Sequence, residues 1–199
     1  MKNILVGFLA FVVVGSGVSV SFAGPYISGN LGAVIVNDSD LDDGVDTGEF
    51  SYDTGFGFVA ALGTSLQNDI RVEAELGYRN NDLDEIKVDG FGSGDIDGDV
   101  TTTSLMGNGY YDFSTTGSFS PYIGAGVGYA NVEGDLDDFG DEDDNVFAYQ
   151  FILGGSFASS ETLSVDLQYR YFATEDPDFD GLDSEYQSHN IMIGLRNSF

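Results

Sequence analysis

Ile70-Arg71-Val72-Glu73-Ala74-Glu75-Leu76-Gly77-Tyr78-Arg79-Asn80 keeps a period of two between apolar and polar residues from Ile70 to Arg79. Ile70, Val72, Ala74, Leu76 and Tyr78 alternate without a break with Arg71, Glu73, Glu75, Gly77 and Arg79. Successive side chains of a strand face opposite sides, so this order makes a strand with one wholly apolar face and one face carrying both signs of charge. A helix would spread the same charges around its surface. The rest of the chain must supply an environment for each face.

The alternation recurs on both sides of this stretch. Residues 25–36 set Ile27, Leu31, Ala33 and Ile35 against Ser28, Asn30 and Gly32, and residues 50–66 set Phe56, Phe58, Ala60 and Leu62 against Gly57, Ala61, Gly63 and Ser65. Residues 100–113, 120–132, 145–158, 163–174 and 186–199 read as five further strands, which makes eight. Long acidic connections at 37–49, 81–99, 133–144 and 175–185 alternate with short turns at 67–69, 114–118 and 159–162. That alternation predicts an antiparallel up-and-down meander with its long loops at one end and both termini at the other.

Composition agrees with strands. Glycine is abundant at 28 residues, Tyr and Phe are plentiful, and only three prolines interrupt the chain. There is no cysteine, so no disulfide scaffold can form. Residues 1–23 read as a cleaved signal peptide, with Lys2 before a short apolar run and Ser21-Phe22-Ala23 at the cleavage site. Gly15, Ser16 and Gly17 end that run before it reaches the ~20 apolar residues that a membrane-spanning helix needs. The mature domain is then residues 24–199, with 34 acids against five basic residues once Lys2 is removed. A chain so acidic repels phosphate backbones, and nucleic acid is excluded as a partner.

Charge also decides which face is outside. The polar faces hold Arg71, Glu73, Glu75, Arg79, Asp166, Arg170 and Arg196, including all four arginines of the chain. A soluble eight-stranded barrel would turn such a face to water and fill its inside with apolar groups. Here the opposite signs are nearly balanced and are interleaved with Gly and Ala, as suits a narrow lumen filled by its own side chains. The apolar faces then meet lipid, where a closed sheet satisfies every backbone hydrogen bond. Tyr78, Tyr129, Phe147 and Tyr171 are expected toward the long-loop end, and Phe113, Phe157 and Phe199 toward the short-turn end, as two aromatic girdles. The fold class is therefore all-β, an eight-stranded antiparallel up-and-down transmembrane barrel.

With a signal peptide, the run Pro121-Tyr122-Ile123-Gly124-Ala125-Gly126-Val127-Gly128-Tyr129 and a final amphipathic strand ending in Phe199, the chain resembles the eight-stranded outer-membrane barrels of the OmpA-like and opacity-type surface protein family. The resemblance covers essentially the whole mature chain. It implies the outer membrane of a Gram-negative cell, extracellular loops, periplasmic termini, and lipid and lipopolysaccharide as surroundings. It also implies that the last strand is read by the outer-membrane assembly machinery. Asn197 departs from that pattern, which usually has an apolar or aromatic residue third from the end. No peptidoglycan-binding domain is expected after Phe199, and the barrel is expected to be a monomer.

The four long segments carry 27 of the 34 acids and a single basic residue, Lys87. One reading is solvation and repulsion of neighbours. The other is divalent-cation binding, for which Asp176-Pro177-Asp178-Phe179-Asp180-Gly181 has the spacing of the first half of a calcium loop. Asp176, Asp178 and Asp180 are the candidate metal ligands, for loosely held calcium or magnesium. Gln187 stands where the bidentate Glu of such a loop belongs, and strands rather than helices flank it. No cofactor is required by anything in the sequence.

Catalysis is not expected. His189 is the only histidine, and Ser188 beside it on a strand points to the opposite face, so the two cannot form a nucleophile and base pair. The function expected is structural or surface-interacting. An adhesin-like role through the loops toward an extracellular partner and a narrow ion pore are the alternatives.

Overall fold

The computed structural model describes residues 24–37, 39–42, 47–66, 68–88, 92–95, 98–136, 140–175, 178–179, 182–183 and 186–199. The signal-peptide reading of residues 1–23 lies outside them. Eight strands build the barrel: β1 (Gly24–Val36), β2 (Gly55–Ser65), β3 (Ile70–Val88), β4 (Gly98–Asp112), β5 (Phe119–Leu136), β6 (Gly140–Ala158), β7 (Leu163–Thr174) and β8 (Gln187–Ser198). Each pairs antiparallel with its chain neighbours, and β1 pairs with β8 from Tyr26↔Ser198 to Val36↔Ser188, which closes the ring. Closure leaves the barrel no sheet edge, so every strand finds ladder partners on both sides.

The short turns fit their sequences. Asn68 and Asp69 both have positive φ, at 65° and 63°. Leu66 N–H donates to Ile70 O at 2.7 Å across this three-residue connection, and Asn and Asp accept left-handed backbone more readily than other side-chain-bearing residues.

The period-two reading holds strand by strand. Arg71, Glu73, Glu75 and Arg79 are buried, while Leu76 is 60% exposed; Leu31, Leu105 and Leu153 on other strands are at least as exposed. A soluble protein would not present such a continuous apolar belt, whereas a barrel immersed in hydrocarbon must. Aromatic pairs edge the belt toward both ends. Tyr129 and Phe147 lie 6.3 Å apart and Phe56 and Tyr78 6.1 Å apart toward the long-loop end; Phe119 and Phe157 lie 4.7 Å apart toward the other.

Strand lengths are where the structure corrects the sequence. The acidic segments expected as loops are largely paired backbone. β3 runs on to Val88, β5 to Leu136, and β6 begins at Gly140. The strand expected at 50–66 is interrupted at Asp53 and Thr54, with Thr47–Tyr52 and Gly55–Ser65 on either side. Thr47–Tyr52 pairs with Ser39–Asp42 and with the far end of β3, and Gly92–Asp95 pairs with that end of β3 from its other side. The first two connections thus share one four-stranded sheet above the barrel. Asp and Gly are poor strand formers by composition, but the register of a hairpin carries pairing outward once the barrel has fixed it.

The glycines of β5 answer a packing need. A side chain at Gly124 would run into the Tyr110 ring, and one at Gly126 into the Asn108 carboxamide.

Candidate functional site

The lumen is filled by polar clusters stacked along the barrel, the central one built on Arg170 and Glu75. Arg170 Nη1 donates to Glu75 Oε2 at 2.7 Å, and Glu75 also accepts from Asn108 Nδ2 at 2.8 Å and Gln150 Nε2 at 3.0 Å. Arg170 Nε donates to Gln168 Oε1 at 2.8 Å, whose Nε2 reaches Asn30 Oδ1 at 2.8 Å. Both members of the central pair are fully buried, so they stay ionised only because each satisfies the other and further dipoles take up the remaining lone pairs and protons.

Nearer the short turns, Arg71 binds Asp112 through Nε at 2.6 Å and Nη2 at 2.9 Å, a two-point contact of the kind a guanidinium fork favours. Glu73 accepts from the hydroxyls of Tyr26 at 2.7 Å and Tyr110 at 2.9 Å. Arg196 Nη2 reaches Asp166 Oδ1 at 3.3 Å and Ser156 Oγ at 2.8 Å. Toward the loop end, Arg79 Nε donates to Asn190 Oδ1 at 3.0 Å and its guanidinium lies 3.8 Å over the Phe172 ring. Val34, Val36, Met106, Ala130, Ala148, Phe172 and Tyr186 form an apolar cluster at this level.

All seven charged residues expected to face inward do so, and the expected pairing among them is present for Arg170 with Glu75, Arg71 with Glu73 and Arg196 with Asp166. Arg79 makes no ion pair among the described residues. Sequence reasoning missed Asp112 and the lumen aromatics Tyr26, Tyr110, Tyr122 and Phe172, having assigned aromatic residues to the girdles. Parity would have found them: Tyr110 and Asp112 continue the face of Asn108, and Phe172 that of Arg170.

Of the candidate metal ligands, Asp176 and Asp180 lie outside the described residues. Asp178 belongs to the two-residue strand Asp178–Phe179, which pairs with Leu182–Asp183. His189 Nδ1 is 2.7 Å from the Tyr169 hydroxyl on the outer face. Ser188 is fully buried and accepts from Asn190 Nδ2 at 3.1 Å, so the two neighbours do point to opposite sides of the sheet.

A closed eight-stranded sheet with an apolar exterior and an ion-paired interior defines an integral barrel of the outer membrane. The chain belongs to the outer membrane protein β-barrel domain family, whose model matches residues 4–199. It is similar to outer membrane protein PagN of Salmonella typhimurium, 25% identical over an alignment that takes in the whole of both chains. It is also similar to the candidate adhesin RC1281 of Rickettsia conorii, 30% identical over 72% of this chain and 67% of that one. Among solved structures, Neisserial surface protein A superposes with a TM-score of 0.60 over 88% of this chain and 97% of that one; at 19% identity this is a likeness of fold.

Proposed function

We propose that this protein is a non-enzymatic surface-interaction barrel whose loop end meets an extracellular partner, with both termini in the periplasm. The observation that carries the reading is the division of charge. The lumen charges, Arg79 apart, are paired with one another between strands, whereas the acids of the connections stand on backbone that continues beyond the barrel. A barrel that spends its interior on packing has its loop end left for contact. Similarity to a candidate adhesin supports the same reading.

The partner for so acidic an end is a basic surface, or an anionic one reached through calcium or magnesium held loosely by the loop acids, Asp176, Asp178 and Asp180 among them. Lipopolysaccharide phosphates are a nearby instance of the second kind. Calorimetry on the folded barrel tests the cation: absence of calcium heat at millimolar concentration removes it from the proposal.

Cells displaying the barrel should bind host cells or matrix, and variants with residues 81–99 or 133–144 shortened should lose that binding while remaining in the outer membrane. Retained binding by all loop variants would overturn the reading. Planar-bilayer recording separates it from the pore alternative, since a lumen filled as described should give no steady conductance.

A further inference from the structure

Among the described residues, five buried side-chain atoms take no hydrogen-bond partner: Arg79 Nη2, Asn81 Oδ1, Thr102 Oγ1, Thr174 Oγ1 and the Tyr186 hydroxyl. They gather at the loop end of the lumen. Asn81 follows Arg79 along β3, Thr174 ends β7, and Tyr186 immediately precedes β8. Buried polar groups of folded proteins are satisfied by protein, by water or by an ion, and here the protein supplies nothing.

Three of the five are neighbours. Arg79 and Thr102 lie opposite each other on β3 and β4, and both are fully buried. Arg79 spends Nε on Asn190 and Nη1 on Ser104, so both hydrogens of Nη2 are left. The Tyr186 hydroxyl is close enough to feel the charge of Arg79. It lies beside the hydroxyls of Thr102 and Ser188 without hydrogen-bond geometry to either.

Charge separates an anion from water. Arg71 lies between Asp112 and Glu73, Arg170 holds Glu75, and Arg196 holds Asp166. Arg79 has no carboxylate within ion-pair distance among the described residues. Glu75 acts on it, but Arg170 acts with the opposite sign and takes that carboxylate at 2.7 Å. A buried cation without a counter-charge costs far more than a neutral donor left alone. Water would satisfy the hydroxyls, whereas an anion also supplies the missing charge.

We propose that Arg79 Nη2, Thr102 Oγ1 and the Tyr186 hydroxyl bind a monovalent monatomic anion, chloride, inside the loop end of the barrel. All three groups can donate to one sphere. The surroundings suit a sphere, since the Phe172 ring lies 3.8 Å from the Arg79 guanidinium and Val34, Val36 and Met106 share its apolar cluster. A carboxylate or phosphate would bring further oxygens that such a wall leaves without donors. The acids of the connections repel multivalent anions more strongly than monovalent ones. Asn81 and Thr174 stand outside this shell and are left to water. Because Tyr186 leads into β8, the anion ties the approach of the closing strand to β3 and β4. The proposed loop partner uses none of these buried groups, so the two readings stand apart.

The test refolds the full-length barrel from urea into detergent micelles containing sodium chloride, sodium bromide or sodium gluconate at matched ionic strength. The urea midpoint should rise saturably with chloride and bromide but not with gluconate, as for a ligand held by the folded state alone. Arg79→Met should abolish that dependence. Tyr186→Phe keeps the charge and loses one donor, and should weaken the apparent chloride affinity about tenfold. Crystals of the unsubstituted barrel grown in bromide should show anomalous density beside Arg79 Nη2 and the Tyr186 hydroxyl. An equal response to gluconate, a chloride dependence retained in Arg79→Met, or no bromide at that position would overturn the proposal. The crystal result needs no variant, so it decides the matter even where Arg79→Met fails to fold.

Discussion

Arg170 and Glu75 meet across the full width of the barrel, Nη1 to Oε2 at 2.7 Å, from strands four places apart in either direction round the ring. A contact of that span ties opposite walls together. Asn108 and Gln150, from two of the strands between, complete the carboxylate's hydrogen bonds, so loss of one charge is felt on four strands at once.

Glu75→Ala is accordingly expected to destabilise the barrel by about 3–5 kcal/mol, the range for breaking a buried pair by removing one partner. Adding Arg170→Met should recover most of that loss, because the cost lies in the stranded charge rather than in the absent attraction. Urea unfolding of the reconstituted barrel checks both, and an unchanged midpoint in the single variant would remove the network from the account of stability.

Arg79→Met should cost less than Glu75→Ala, about 1–3 kcal/mol. Arg79 is held by Asn190, Ser104 and the face of Phe172, so removing its charge leaves no carboxylate alone among its described partners. The same unfolding measurement compares the two, and a larger loss for Arg79→Met would show a carboxylate partner beyond the described residues.

Gly154→Val tests the inner packing. A Cβ at this position would meet the Tyr122 ring, with its Cε2 and hydroxyl both at 2.6 Å. Tyr122 is itself buried against Tyr110, with ring centroids 5.9 Å apart, and has no free space to yield. Overpacking of about 1–3 kcal/mol is expected, read as a lower unfolding midpoint with the heat-dependent gel shift of a folded barrel retained.

Leu153→Arg tests the lipid face. Leu153 is 60% exposed and lies between Phe147 and Phe157 on the outer side of β6. A cation there should cost about 2–4 kcal/mol in a bilayer. The penalty should fall sharply for a charge placed at Asn145, beyond the loop-end aromatic pair; equal penalties at the two positions would argue against a hydrocarbon belt between the girdles.

Most of the barrel was legible because its signal is local. Which residues of 70–79 face lipid follows from parity alone, and the alternation of long and short connections carries the meander without any knowledge of contacts. The ends of the strands were not legible. Residues 81–88 and 133–136, five of them acidic, have the composition of loops, and only the register inherited from the paired strands below keeps them extended. Aromatic residues inside the lumen were overlooked for a related reason: the type of a residue suggested a girdle, while its parity placed it within.

Strand count, the residues that share each face, and the separation of charged from apolar side chains by the sheet all follow from the order of residues, because a strand's period of two needs nothing beyond the strand. Pairing across the lumen was decided only by the closed structure. Glu75 and Arg170 are 95 positions apart in the chain, and their meeting depends on how closure brings opposite walls within reach. The cavity of about 290 Å³ at the short-turn end was likewise invisible in sequence, since Arg196 and Ser198 come to line it beside Tyr26 only when the last strand returns to the first.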